Sequence, residues 1–297
     1  EIQDVLAVAY YAWDALMMAK MAAAVGKNDR VEEDLNVYKT EKEYFIEKFV
    51  SENGKMKRGE QSVCLYALYL DLLPDEKSVR AVKKQLTDNI ARNGNRLQTG
   101  FLGTKIILNT LTKIGRNDLA YSILLQEANP SWLYSVNQGA TTIWERWNSY
   151  TLDKGFGDVR MNSFNHYAYG SVAAWMFRVM AGINADEDVP AFKHVEIAPY
   201  PDERIKRVQT SFESSYGMIE TVSSFRKDEW TYKVRIPANT DATVTLPLSG
   251  FELVSVNGKN VRSLKIASDC IEKVSKTKDS VKFSLVASSA EFVLKRK

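Results

Sequence analysis

This sequence predicts a two-domain α plus β chain: helices packed as an α/α bundle or toroid over residues 1–185, then an antiparallel β-sandwich over 186–297. Two observations carry that expectation and a third places the join. Apolar residues recur three and four apart in the first part and alternate after about residue 190. Between the two lies the acidic stretch "NADED" at 184–188, followed by Pro190, which reads as a linker.

"VLAVAYYAWDALMMAKMAAAVGK" is apolar almost all round, as a helix buried on most sides would be. "EDLNVYKTEKEYFIEKFV" sets Leu35, Tyr38, Tyr44, Phe45, Phe49 and Val50 on one side and stops before Gly54. "SVCLYALYLDLL" closes at Pro74, and "EKSVRAVKKQLTDNIARNG" runs to Gly94. "GFLGTKIILNTLTKIG" and "DLAYSILLQ" form a short pair, and "SFNHYAYGSVAAWMFRVMAGI" makes a last apolar helix ending at Gly182. Helices joined by short polar turns pack in antiparallel succession. The strands follow: Tyr232, Val234 and Ile236 share a face, as do Ala242, Val244 and Leu246, and Val281, Phe283 and Leu285. "PANTD" and the pair Asn257-Gly258 supply turns between strands.

Composition narrows the function. With 45% hydrophobic and 26% charged residues the chain is ordinary for a globular protein. Its 40 basic and 37 acidic residues are scattered, not gathered into a stripe with interleaved aromatics, which argues against nucleic acid as a partner. No window is expected to reach the roughly 20 apolar residues of a membrane span, and no signal peptide is expected in these residues. Cys64 and Cys270 lack metal or redox spacing and read as two separate buried thiols. Only His166 and His194 are present, so a multi-histidine metal site is excluded; His194, in the expected first strand of the sandwich, reads as structural. Gly100 and Gly103 in "TGFLGT" lack the spacing of a phosphate-cradling loop, and no cofactor or metal is expected.

One stretch stands out chemically. Trp132, Trp144 and Trp147 fall within sixteen residues in an irregular, Gly-dotted segment, with Glu145 and Arg146 between the last two. Aromatic planes beside a carboxylate suit a sugar, since rings stack on its C–H faces while the acid addresses a hydroxyl or a water. An apolar wall raises a carboxyl pKa by desolvation, and a neighbouring guanidinium lowers it; sequence spacing leaves both open, along with a core role for the tryptophans.

"TGFLGT" at 99–104, "GRNDLAYSILLQ" at 115–126, "PSWLYSVNQGATTIWERW" at 130–147 and "MNSFNHYAYGSVAAWMFRVMAGI" at 161–183 together resemble the C-terminal half of the catalytic domain of bacterial α-L-rhamnosidases, glycoside hydrolase family 78. The resemblance covers most of residues 1–185. It implies a partial (α/α)6 barrel followed by the family's β-sandwich, and an inverting hydrolase that removes terminal α-L-rhamnose from glycans or glycosides. By the same resemblance Glu145 matches the general base and His166 a histidine of the sugar pocket, with Trp144 and Arg146 as pocket supports. Trp132 either lines the sugar site or packs the barrel. The family's general acid lies in a block ending in a Gly-Asp-Trp type motif, and no such block occurs here. The expectation is a piece of the enzyme, inactive without the missing N-terminal part, with an exposed apolar patch, possible self-association and, by family analogy, a periplasmic or secreted home. Two other classes fit the residues alone: another inverting α/α-barrel carbohydrate enzyme, such as a fucosidase-like hydrolase or a phosphorylase, and a non-catalytic carbohydrate-binding or structural module.

Overall fold

In the computed structural model, which describes residues 2–261 and 270–297, the chain divides into two units, one ending at Ser171 and one running from Val172 to Lys297. The first is helical. Ile2–Ala24 (α1) packs on Asn28–Phe49 (α2), and it buries a single stripe of Val5, Ala9, Ala12, Ala15, Ala19 and Ala22, not most of its sides as its sequence predicts. Small side chains let the neighbouring backbone approach. Tyr11, Met18, Met21 and Val25, spaced seven, three and four apart, form a second stripe that stays exposed. At 23 residues α1 is also long and apolar enough to cross a membrane by length and composition, contrary to the sequence expectation, although its alanine stripe is buried against protein.

The helix buried on all sides is instead Gln61–Tyr69 (α3), in which every residue from Gln61 to Leu68 is buried. It ends short of Pro74 because Asp71 adopts a left-handed φ of 56°, which breaks the helix. The buried Gln61 amide is satisfied at both ends: Nε2 donates to Arg96 O at 3.0 Å, and Oε1 accepts from Gln98 N–H at 2.9 Å. Glu76–Arg92 (α4) begins just past Pro74, where the Asp75 carboxylate accepts Ser78 N–H at 2.7 Å and caps it. Phe101–Lys113 (α5) lies against α3 at Gly103, where a Cβ would stand 2.9 Å from Ser62 Oγ. "TGFLGT" is therefore a close-packing motif. Asn117–Leu124 (α6) follows, then Trp132–Asn137 (α7), capped by Ser131 Oγ accepting Tyr134 N–H at 3.1 Å. A two-residue hairpin, Tyr150–Thr151 (β1) against Gly155–Phe156 (β2), is followed by 3-10 turns at Val159–Met161 and Ala168–Ser171.

The single helix expected over 163–182 does not form. Residues 163–167 are irregular, because Ser163 and His166 spend their backbone N–H groups on residues 145 and 143 and not on an intrahelical ladder. Helix appears only at Val172–Trp175 (α8), which runs into a π-helical turn at Met176–Met180 in the second unit.

That unit is otherwise two sheets. Its strands are Ile183–Ala185 (β3), His194–Ile197 (β4), Arg207–Ser214 (β5), Gly217–Arg226 (β6), Glu229–Arg235 (β7), Asp241–Pro247 (β8), Phe251–Val256 (β9), Lys259–Asn260 (β10), Ile271–Lys276 (β11), Ser280–Val286 (β12) and Ser289–Arg296 (β13). One sheet runs β10-β9-β13-β7-β6-β5 and the other β11-β12-β8-β4-β3. All pairings are antiparallel except β4 with β8. The alternating residues predicted to face inward do so: Tyr232, Val234, Ile236, Ala242, Val244, Leu246, Val281, Phe283 and Leu285 are each at most 3% exposed. Asn257 and Gly258, at φ 50° and 73°, make the β9–β10 turn. Three details differ from the sequence reading. Asn184 and Ala185 are not linker but strand, paired with Glu196 and Val195, so His194 sits in the second strand of this unit, not the first. Cys270 is only partly buried, whereas Cys64 is fully so; neither is in a disulfide.

Candidate active site

The segment after α7 doubles back on itself. Glu145 N–H donates to Ser163 O at 2.9 Å and His166 N–H to Ile143 O at 2.8 Å, so residues 143–145 and 163–166 lie side by side. Thr142 Oγ1 donates to Phe164 O in the same clip. Ser163 N–H then donates to Glu145 Oε2 at 2.8 Å, closing the ladder through a side chain. The half-buried Glu145 carboxylate is thus anchored by one oxygen; among the described residues, Oε1 takes no protein hydrogen bond.

His166 is set by rings and by one backbone bond. It stacks on Phe101, the first residue of α5, with centroids 4.8 Å apart and 19° between planes, and on Tyr167 at 5.7 Å. Ala168 N–H donates to His166 Nδ1 at 3.3 Å. The neutral ring consequently carries its proton on Nε2 and presents it as a donor.

The tryptophans sit beside this pair in a wall of their own. Trp147 stacks on Tyr169 at 3.8 Å and meets Trp132 edge-on at 5.4 Å; Trp132 Nε1–H donates to Tyr169 O at 2.9 Å. Tyr169 also leans on Phe101 at 5.0 Å, which links the wall to the ring under His166. Trp144 packs edge-on against Phe164 at 5.3 Å. Trp132, Trp144, Trp147 and Tyr169 line an apolar cavity of about 290 Å³, which is also bounded by Thr142 and Ile143. Glu145, Arg146 and His166 are not among its lining residues. Arg146 is half-buried: its backbone N–H donates to Ser149 Oγ at 3.2 Å, and its charge helps the Arg160 guanidinium hold the Asp158 carboxyl below its usual range. Burial pushes the Tyr169 phenol up.

Trp132 and Trp144 therefore share a cavity, while Glu145 and His166 are joined through the backbone clip. Three residues the sequence did not single out complete the arrangement. Ser163 anchors the acid, Phe101 carries the histidine, and Tyr169 ties Trp132 to Trp147. All three lie in the quoted blocks around 99–104 and 161–183, but nothing local marks a backbone donor or a stacking partner from another segment.

Residues 1–180 match the family model described as the bacterial alpha-L-rhamnosidase 6 hairpin glycosidase domain, and residues 182–260 that of the bacterial alpha-L-rhamnosidase C-terminal domain. The chain belongs to the bacterial α-L-rhamnosidase family. An α-L-rhamnosidase of Formosa agariphila is 36% identical over 270 residues, which cover 88% of this chain and 29% of that protein. One from Streptomyces avermitilis is 37% identical over 245 residues, 82% of this chain and 23% of its own length. The crystal structure of the Streptomyces avermitilis α-L-rhamnosidase complexed with L-rhamnose superposes with a TM-score of 0.85 at 32% identity, covering 98% of this chain and 27% of that one. That of the Dictyoglumus thermophilum enzyme gives 0.84 at 27% identity, covering 97% and 31%. The chain thus spans less than a third of the length of these α-L-rhamnosidases.

Proposed function

We propose that this chain forms part of an inverting α-L-rhamnosidase that hydrolyses terminal α-L-rhamnose from glycans or glycosides, with Glu145 as the general base. The half-anchored carboxylate carries the reading: Ser163 N–H fixes Oε2, and Oε1 is left to take a proton from water. A base used for inversion must hold its water on one face of the sugar, which needs a carboxylate of fixed direction. His166 Nε2–H donates to a rhamnose hydroxyl, and the wall of Trp132, Trp147 and Tyr169 with Trp144 supplies apolar surface for the C–H faces of the sugar or its aglycone. Arg146 is a more distant support, its guanidinium acting on Asp158 and its backbone N–H on Ser149. The general acid is supplied from outside these 297 residues, and the enzyme works in the periplasm or outside the cell.

Hydrolysis of an aryl α-L-rhamnoside, with the product anomer followed by NMR, tests this in the full-length enzyme and in the 297-residue chain. Activity with inversion in the full-length enzyme only is expected, and Glu145→Gln in that enzyme should lower kcat by at least about 10²–10⁴-fold with its circular dichroism unchanged. Retained configuration, full activity of the Gln variant, or activity of the 297-residue chain alone would each overturn a part of the assignment.

A further inference from the structure

We propose that Asp186, His194 and Glu196 form a binding site for a divalent transition-metal cation, Zn²⁺ being the ion that fits, on the five-stranded sheet and apart from the sugar chemistry. One oxygen from each carboxylate and one imidazole nitrogen lie within 4.8 Å of one another. The antiparallel pairing of β3 with β4, with Ala185 opposite Val195, brings Asp186 to His194, and the two-residue period of β4 puts His194 and Glu196 on the same face.

Three such groups on a surface are commonplace, and what distinguishes these is how the ring is held. The parallel pairing of β4 with β8 sets Asp241 opposite His194, and the Asp241 carboxylate accepts a hydrogen bond from Nδ1–H. That contact fixes the tautomer and leaves the lone pair on Nε2, 3.5 Å from Glu196 Oε1. A carboxylate that orients an imidazole from behind while the other nitrogen faces ligands is the arrangement metal-bound histidines use. Thr243 Oγ1, 3.0 Å from Nε2, donates its proton there, and a cation would displace that single neutral bond. Asp186 is likewise held, since Oδ1 accepts Asp188 N–H at 2.8 Å.

The donor set selects the ion. One nitrogen and two carboxylate oxygens suit Zn²⁺ or a neighbour in the first transition row, whereas Ca²⁺ and Mg²⁺ ask for oxygen throughout. Two carboxylates also neutralise the ion's charge. Bound there, it would pin β3, a three-residue edge strand that among the described residues pairs with β4 alone, to the middle of its sheet. No spacing in the sequence announced this, because one ligand follows β3, two lie on β4 and the orienting acid begins β8.

Calorimetry and thermal unfolding of the untagged chain with Zn²⁺, against Mg²⁺ and Ca²⁺, test the site. One Zn²⁺ per chain is expected to bind saturably and raise the melting temperature, with Mg²⁺ and Ca²⁺ far weaker. His194→Gln and Glu196→Gln should abolish binding, and Asp241→Asn, which keeps all three ligands, should weaken it about 10–100-fold. Because the chain has only two histidines, ring ¹⁵N signals provide a check on the unsubstituted protein: Zn²⁺ must shift Nε2 of His194 and leave His166 in place. No binding at millimolar Zn²⁺, binding that survives His194→Gln, or a shift confined to His166 would overturn the proposal.

Discussion

Cys64 shows what burial does to a single group. It lies on α3 with none of its surface exposed, and desolvation pushes its thiol from 9.0 up to about 12; burial likewise pushes the Tyr66 phenol from 10.0 up to about 12. Both groups bind their protons more tightly folded than unfolded. Their contribution to stability is therefore complete below about pH 9 and is lost as pH rises towards 12, at about 1.4 kcal/mol per pH unit for each group that has ionised in the unfolded chain only. Urea unfolding between pH 7 and 11 should show that decline, and Cys64→Ala should make it shallower. A flat profile would mean that α3 is wetter than it looks. At this scale the sequence was only partly legible. "TTIWERW" pointed to Glu145 and "NSFNHYAYG" to His166 through a family resemblance, but the partners that fix them, Ser163 and Phe101, are 18 and 65 residues away, and no local pattern encodes such pairs.

Elements were easier to find than to orient. Helical periodicity located α1 to α6, yet it misjudged which helix is central, because a long run of alanine and methionine reads as more buried than the short "QSVCLYAL" that proves to be enclosed. Periodicity reports a face only where the apolar and polar sides differ, and α3 has no polar side. Strand faces were read correctly because the two-residue period leaves a single choice. The predicted helix over 163–182 was lost to long-range backbone pairing, which outweighs local propensity. Two substitutions test how the elements are held. Gly103→Ala places a methyl 2.9 Å from Ser62 Oγ and should cost about 1–3 kcal/mol in chemical denaturation. Ser131→Ala removes the cap of α7 and should cost about 1 kcal/mol; changed tryptophan fluorescence should accompany it, since Trp132 opens that helix.

For the molecule as a whole, the second stripe of α1 is the feature with solution consequences. Tyr11, Met18 and Met21 of α1 and Val25 just beyond it are 47–69% exposed, on the side away from the buried stripe of Val5 and alanines. Aligned exposed side chains of this size promote association. The 297-residue chain should sediment as concentration-dependent oligomers, and the pair Met18→Lys and Met21→Lys should return it to a monomer without changing its melting temperature. A wild-type chain that stays monomeric at all concentrations would contradict this.

The clip that holds Glu145 has one more consequence. Ser149 closes the span between the two paired segments from within: its carbonyl accepts Gly157 N–H at 2.8 Å and Asn162 Nδ2–H at 3.0 Å. The residues between Arg146 and Asn162 thus leave and return at a sealed neck, and closure entropy rises only slowly with the length of what hangs beyond it. Such a neck makes the tip, from Thr151 to Gly155, an exchangeable cassette. Its length and sequence can change while Glu145 and His166 keep their positions, because both are held by backbone bonds outside it.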